Sequence, residues 1–233
     1  MKKILLLYCT TLLFFALCFH GSLFAQRLQP TKHLPIIESK SDANLDYYVI
    51  LLTGNGGWRK LVQSITNYLN DKNVSVVAIN TKKYLLSRKK PKQICCDLET
   101  LMDQYNNKWE GEKVVMIGYS MGAEILPFAF NCMEEKYKQQ INDLILIAPG
   151  QKATFKVKLR DYYHEVNEGA DIYPELQKMN KQKTYVICDD NKFSICLENL
   201  DGIVDHDFLG GGHHFGKDYN KLSLLVGKRL NLE

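Results

Sequence analysis

An α/β architecture, a mostly parallel sheet with helices on both faces, is predicted by three features of the sequence. Strand-like and helix-like segments alternate from residue 45 to residue 233. The strand candidates at 47–52, 74–79 and 141–148 are largely apolar, as strands covered on both faces are. A fourth short apolar run, 114–117, passes through Gly118-x-Ser120-x-Gly122 straight into a helix-compatible segment, 121–130.

That last junction carries the chemistry. A strand that enters a helix through so tight a turn puts its central residue into strained backbone geometry. Glycines two positions either side let the neighbouring chains pass. The turn lifts the Ser120 hydroxyl out of the sheet at a helix N-terminus, where the helix dipole favours developing negative charge. The arrangement is the nucleophile elbow of the α/β-hydrolase fold.

The elements follow in order. Lys2-Lys3, an apolar run over 4–19 and Gly21-Ser22-Leu23-Phe24-Ala25-Gln26 read as a secretory signal over 1–25, cleaved after Ala25 for export to the periplasm. Residues 26–44 are polar, hold Pro30 and Pro35, and read as a poorly ordered lead-in. Strand 47–52 ends in Thr53-Gly54-Asn55-Gly56-Gly57-Trp58. Apolar residues at 61, 62, 65, 68 and 69 then have helical spacing. After strand 74–79 comes a basic loop, 82–90, and Pro91 suits the first turn of a helix running to about 105. Strand 141–148 closes on Pro149-Gly150. Residues 151–182 break the rhythm: Phe155, Val157 and Leu159 alternate with Lys156, Lys158 and Arg160, and Tyr162, Tyr163 and Tyr173 follow. This stretch is read as a small lid insertion within one hydrolase domain, 45–233. Strands at 184–188 and 205–209 and a closing helix over 218–230 complete the chain.

Composition bounds the function. A chain of 233 residues that is 45% hydrophobic and 24% charged has the makings of one globular domain. Losing Lys2 and Lys3 with the signal lowers the formal charge of +4 by two, too weak a balance to argue for nucleic acid. Beyond the signal remain Cys95, Cys96, Cys132, Cys188 and Cys196. Cys188 and Cys196 bracket a short loop and are the expected disulfide, and an odd count leaves one thiol over. None has metal-ligand spacing, and the glycine loop matches neither a phosphate loop nor a dinucleotide fingerprint, so no cofactor is expected.

A serine hydroxyl needs a base, and in this fold the order is Ser, acid, His. Gly210-Gly211-Gly212-His213-His214-Phe215 stands where the base should be. The reading leans to His214, because an apolar residue follows it directly, and keeps His213 as the alternative. Asp189-Asp190 ends the preceding strand, where a carboxylate would hold the imidazole tautomer. Asp190 is preferred and Asp189 kept open, with Asp205 and Asp207 behind them. Two main-chain N–H groups should face the oxyanion: Met121, after the nucleophile, and Asn55 or Gly56 in the glycine loop.

Several of these segments together resemble the VirJ/AcvB family of exported bacterial α/β-hydrolases. They are Leu52-Thr53-Gly54-Asn55-Gly56-Gly57-Trp58, the Lys90-Pro91 helix start, and Ile117-Gly118-Tyr119-Ser120-Met121-Gly122-Ala123-Glu124-Ile125-Leu126-Pro127-Phe128. Gly211-Gly212-His213-His214-Phe215 with Asp218-Tyr219 completes the set. The likeness spans about residues 45–230, departing at Asn55, where the family has Asp, and at Cys188, where it has Gly. It implies hydrolysis of aminoacylated phosphatidylglycerol, notably the lysyl ester, and links to virulence and type IV secretion proteins. The basic loop suits peripheral contact with a membrane surface. Two other readings stay open: a generic carboxylesterase or lipase, and a non-catalytic hydrolase-fold chaperone or secretion adaptor.

Overall fold

The computed structural model describes residues 29–42, 46–111, 113–157 and 168–232. The signal therefore lies outside the described residues, as do Leu159, Arg160, Tyr162 and Tyr163 of the lid stretch. In chain order the elements are β1 (Ile36–Ser39), β2 (Tyr47–Leu52), α1 (Lys60–Asp71), β3 (Val76–Ile79), α2 (Thr81–Tyr84), α3 (Pro91–Trp109), β4 (Lys113–Tyr119) and α4 (Met121–Cys132). Then come α5 (Glu135–Gln140), β5 (Ile141–Ile147), β6 (Lys152–Ala153), β7 (Ala170–Asp171), α6 (Tyr173–Leu176), β8 (Thr184–Cys188), β9 (Asp205–Phe208) and α7 (Tyr219–Arg229).

Seven strands form one sheet in the order β1-β3-β2-β4-β5-β8-β9. All pairs are parallel except β1 with β3. Alternation along β2 shows how each strand feeds two cores. Tyr48, Ile50 and Leu52 face one layer, with Leu98, Leu101, Met102 and Tyr105 of α3 and Ile125, Leu126 and Ala129 of α4. Val49 and Leu51 face the other, with Ile65 and Leu69 of α1 and Leu222 and Val226 of α7. This is the α/β-hydrolase fold, with its carboxyl edge, where the parallel strands end, built by the turns after β2, β3, β4, β5, β8 and β9.

The lead-in differs from expectation. Ile36–Ser39 is an edge strand in register with β3, Ile36 opposite Ile79 and Ser39 opposite Val76. It is held by polar side chains that have no hydrophobic periodicity to reveal them. The wholly buried Asp97 accepts from the Thr31 N–H and hydroxyl, both at 2.6 Å, and from the Tyr84 hydroxyl at 2.5 Å. Glu38 accepts from the Tyr105 hydroxyl at 2.5 Å and from Lys108 at 2.6 Å.

Two other differences are local. α3 continues to Trp109, because Tyr105 and Trp109 pack edge-on, 4.5 Å between ring centres, beneath Tyr48. The basic loop begins with a helical turn, α2, capped by the Asn80 side chain on the Lys83 N–H. Of the lid stretch, β6 and β7 pair antiparallel, and Phe155 meets Phe128 edge-on at 5.3 Å. Main-chain bonds from Lys89 to Phe155 and from Val157 to Leu85 tie it to the basic loop.

Candidate active site

Ser120 caps α4 with φ 52° and ψ −122°, a conformation an L-residue adopts only when its surroundings compel it. Three glycines allow those surroundings. A Cβ at Gly118 would lie 2.6 Å from the Ala123 backbone, and one at Gly122 would lie 2.3 Å from the Leu52 carbonyl oxygen. A Cβ at Gly54 would come within 3.1 Å of Ser120 Cβ, so the loop after β2 passes directly against the nucleophile candidate. That loop is fixed on both sides. Gly57, at φ 72°, returns its N–H to the Gly54 carbonyl at 2.9 Å, and Thr81 N–H donates to the Thr53 hydroxyl at 3.0 Å.

The Ser120 hydroxyl donates to His213 Nε2 at 2.8 Å, and His213 Nδ1–H donates to Asp189 Oδ2 at 2.8 Å. Ser120 and Asp189 are 7% and 2% exposed, whereas the His213 side chain between them is 33% exposed, so the two ends are shielded and water reaches the imidazole. Burial works against the charged form of Asp189. The hydrogen bond from His213 and the imidazole's charge, with the Ser194 hydroxyl and the Asn191 N–H nearby, outweigh it and hold the carboxyl below the usual carboxylate range. Cys188 and Cys196 are joined by a disulfide that closes the loop carrying Asn191 and Ser194.

The lean toward His214 and Asp190 is corrected by this geometry. His214 Nδ1 lies 2.8 Å from the Tyr119 hydroxyl, which also reaches the His213 carbonyl at 3.0 Å. One phenolic proton cannot serve both, so O–H donates to the carbonyl and His214 Nδ1–H donates to the phenol. Burial, then the charges of Tyr219 and Asp189, raise the Tyr119 pKa, which keeps that proton in place. Burial, then His213 and Lys217, lower the His214 pKa. Asp190 accepts from Gly212 N–H at 2.5 Å and Gly211 N–H at 3.3 Å.

The cause of the shift by one residue is physical. β8 is buried throughout, and Asp189 continues inward where Asp190 turns out to the glycine loop. In that loop Gly211, Gly212, Phe215 and Gly216 all have positive φ, and Phe215 is buried in the core layer of α1 and α7. The reversal at Phe215 carries His214 back along Tyr119 and leaves His213 facing Ser120. Asp205 and Asp207 lie on β9, where they meet Arg229 and Tyr185 respectively.

The oxyanion candidates also fall beside Ser120. Met121 opens α4, where the first N–H groups have no acceptor within the helix. Asn55 and Gly56 follow Gly54 in the loop that touches Ser120. Tyr119, Asn191 and Ser194 are not singled out by the sequence pattern: Tyr119 bonds the distant His213 and His214, while Asn191 and Ser194 lie in the short disulfide-closed loop that follows Asp189. Among the described residues no cluster of His, Cys, Asp and Glu is arranged to hold a metal.

A family model described as "Bacterial virulence protein (VirJ)" matches residues 46–231. No curated protein sequence matches the chain. Among solved structures, MenH from S. aureus superposes with a TM-score of 0.60 at 11% identity, covering 86% of this chain and 98% of its own. An alpha-beta serine hydrolase homologue from Coxiella burnetii gives 0.59 at 15% identity, covering 87% and 95%. Est1E from Butyrivibrio proteoclasticus gives 0.59 at 11% identity, covering 84% and 94%. At such identities the likeness establishes the fold.

Proposed function

The chain belongs to the VirJ family of bacterial virulence proteins, and we propose that it is a serine esterase cleaving the aminoacyl, notably lysyl, ester of phosphatidylglycerol. The carrying observation is the unbroken bonding from Ser120 Oγ through His213 to Asp189, 2.8 Å at each step. Solved relatives in shape include Est1E and a serine hydrolase homologue, which agrees with ester chemistry. The lysyl lipid itself rests on the family resemblance.

In this reading the Ser120 oxygen attacks the ester carbonyl while its proton passes to His213 Nε2. Asp189 holds Nδ1–H, fixing the tautomer and stabilising the imidazolium that forms. The tetrahedral oxyanion is received by the Met121 N–H and by the N–H of Asn55 or Gly56. Collapse expels the glycerol oxygen, which takes the proton from His213. Water, deprotonated by the same nitrogen, then releases the amino acid and restores Ser120. An ester needs no metal for this, and no cofactor enters. Export through the signal would place the enzyme in the periplasm, within reach of lipid and of secretion-system proteins.

The test is incubation with lysyl-phosphatidylglycerol in mixed micelles, with free lysine and phosphatidylglycerol measured by mass spectrometry. Wild type should release both, and Ser120→Ala should lower the rate by about 10⁴-fold or more. Hydrolysis of an aryl ester with the lysyl lipid left untouched would make the protein a generic carboxylesterase. Failure of Ser120 to react with a fluorophosphonate, together with no ester turnover, would favour the non-catalytic adaptor.

A further inference from the structure

Four large hydrophobic side chains stand exposed among the described residues: Leu86, Leu197, Phe208 and Leu224. Single exposed leucines are ordinary on any surface. Three of these four, however, share the edge that holds Ser120. Leu86 lies in the connection after β3. Leu197 lies in the loop after β8, two residues beyond Ile195, whose N–H bonds the Pro149 carbonyl at the end of β5. Phe208 is the last residue of β9, and the Leu209 N–H that follows bonds the Cys188 carbonyl.

They flank the site rather than cluster beside it. In the sheet order β4, which carries Ser120, stands between β3 on one side and β8 and β9 on the other. At about 4.8 Å per strand, the rim from β3 to β9 spans roughly 24 Å. The same rim carries exposed cations: Lys83, Arg88 and Lys90, with Lys156 joined to them through the Lys89–Phe155 main-chain bond, and Lys217 beyond the histidine loop. Of the acids there, Asp190 is engaged by Gly211 and Gly212, and Asp218 caps α7 on the Lys221 N–H. Glu198, next to Leu197, and Glu168, which shares a pocket with Arg88 and Lys156, are exposed and work against the cations.

We propose that this edge is a docking face for a bilayer containing anionic phospholipid, which it grips on both sides of the Ser120 opening. The partner is read from the shape and charge of the rim. Apolar side chains set apart across a rim of this width suit a planar surface better than a peptide groove. Interleaved lysine and arginine suit its phosphates, and each basic residue near such a surface adds to the attraction. No helix among the described residues is long and apolar enough to cross a membrane, and the contact proposed is a peripheral one. The proposal adds a binding surface to the esterase reading and is tested without turnover, so the two can fail separately.

The experiment is co-sedimentation of the processed protein, expressed from the complete chain, with vesicles of phosphatidylcholine alone or mixed with phosphatidylglycerol. Wild type and Ser120→Ala should bind the mixed vesicles equally, and the binding should weaken with salt. Both Leu86→Ser/Leu197→Ser/Phe208→Ser and Lys83→Glu/Arg88→Glu/Lys90→Glu should bind at least about tenfold more weakly. Leu224→Ser, on α7 away from the rim, should bind as wild type. Thermal unfolding of each variant reports that the fold is intact. Binding unchanged in either triple variant, lost equally in Leu224→Ser, or absent from mixed vesicles at low salt would overturn the proposal.

Discussion

Replacing the two adjacent histidines one at a time separates the chemistry from its support. His213 Nε2 accepts from the Ser120 hydroxyl at 2.8 Å, whereas His214 reaches only the Tyr119 hydroxyl, also at 2.8 Å. His213→Gln removes the proton acceptor, and kcat/KM for a soluble aryl ester should fall by about 10⁴-fold or more. His214→Phe removes one bond between neutral groups, worth about 1 kcal/mol, which limits the loss to about fivefold if all of it is felt in positioning. The two variants should therefore differ by about three orders of magnitude. The assay is initial-rate hydrolysis, with thermal unfolding to show that both proteins fold. A His214→Phe enzyme as inactive as His213→Gln, or one inactive while His213→Gln retains its rate, would refute the assignment.

Four further outcomes are expected. Asp189→Asn should lower kcat by about 10³- to 10⁴-fold, while Asp190→Asn, which keeps an acceptor oxygen for Gly212, should cost about tenfold or less; rates with an aryl ester decide it. The lowered pKa of Asp189 means that it stabilises the fold at and above the ordinary carboxylate range and that this contribution is lost as pH falls through its lowered value, so Asp189→Asn should flatten the acid limb of Tm against pH. Reducing Cys188–Cys196, eight residues apart, should cost about 2.5 kcal/mol of stability by loop entropy. It should also lower kcat, since the freed loop carries Asn191 and Ser194; scanning calorimetry and rates with and without a thiol reductant measure both. Asp97→Ala strands the Tyr84 and Thr31 hydroxyls and should lower stability by about 3 kcal/mol, seen as a Tm drop of about 6–12 °C with little change in kcat.

What the sequence disclosed divides along the kind of force involved. Parallel strands buried on both faces leave continuous apolar runs, so β2, β3, β5 and the elbow at Ser120 were legible, as was α1 from its 61, 62, 65, 69 spacing. Elements held by polar contacts left no such trace. β1 rests on the bonds of Asp97, Tyr105 and Asn70 to the lead-in, and nothing in the pattern of 26–44 distinguishes it from a polar tail. The choice within Asp189-Asp190 and within His213-His214 depended on which way the chain turned after β8 and before Phe215. Neither turn has a periodicity to read.

The side chains that bond toward Ser120 stand one residue before His214 and Asp190 in each doublet, and the geometry gives every member of the two doublets its own partner. Asp189 bonds the imidazole of His213, while Asp190 bonds the backbone N–H groups of Gly211 and Gly212, directly upstream of that imidazole. His213 bonds Ser120, while His214 bonds Tyr119, whose hydroxyl holds the carbonyl of His213 itself. Each doublet pairs one side chain on the reacting line with one that fixes the loop bearing it. A glycine-rich loop with positive φ at Gly211, Gly212, Phe215, Gly216 and Lys217 carries little intrinsic stiffness. Without such fixing it would sample many positions, and an error of about 1 Å in the imidazole is enough to cost a hundredfold in rate. The flexible residues let the chain return to the serine, and the second Asp and second His remove the freedom that those residues bring.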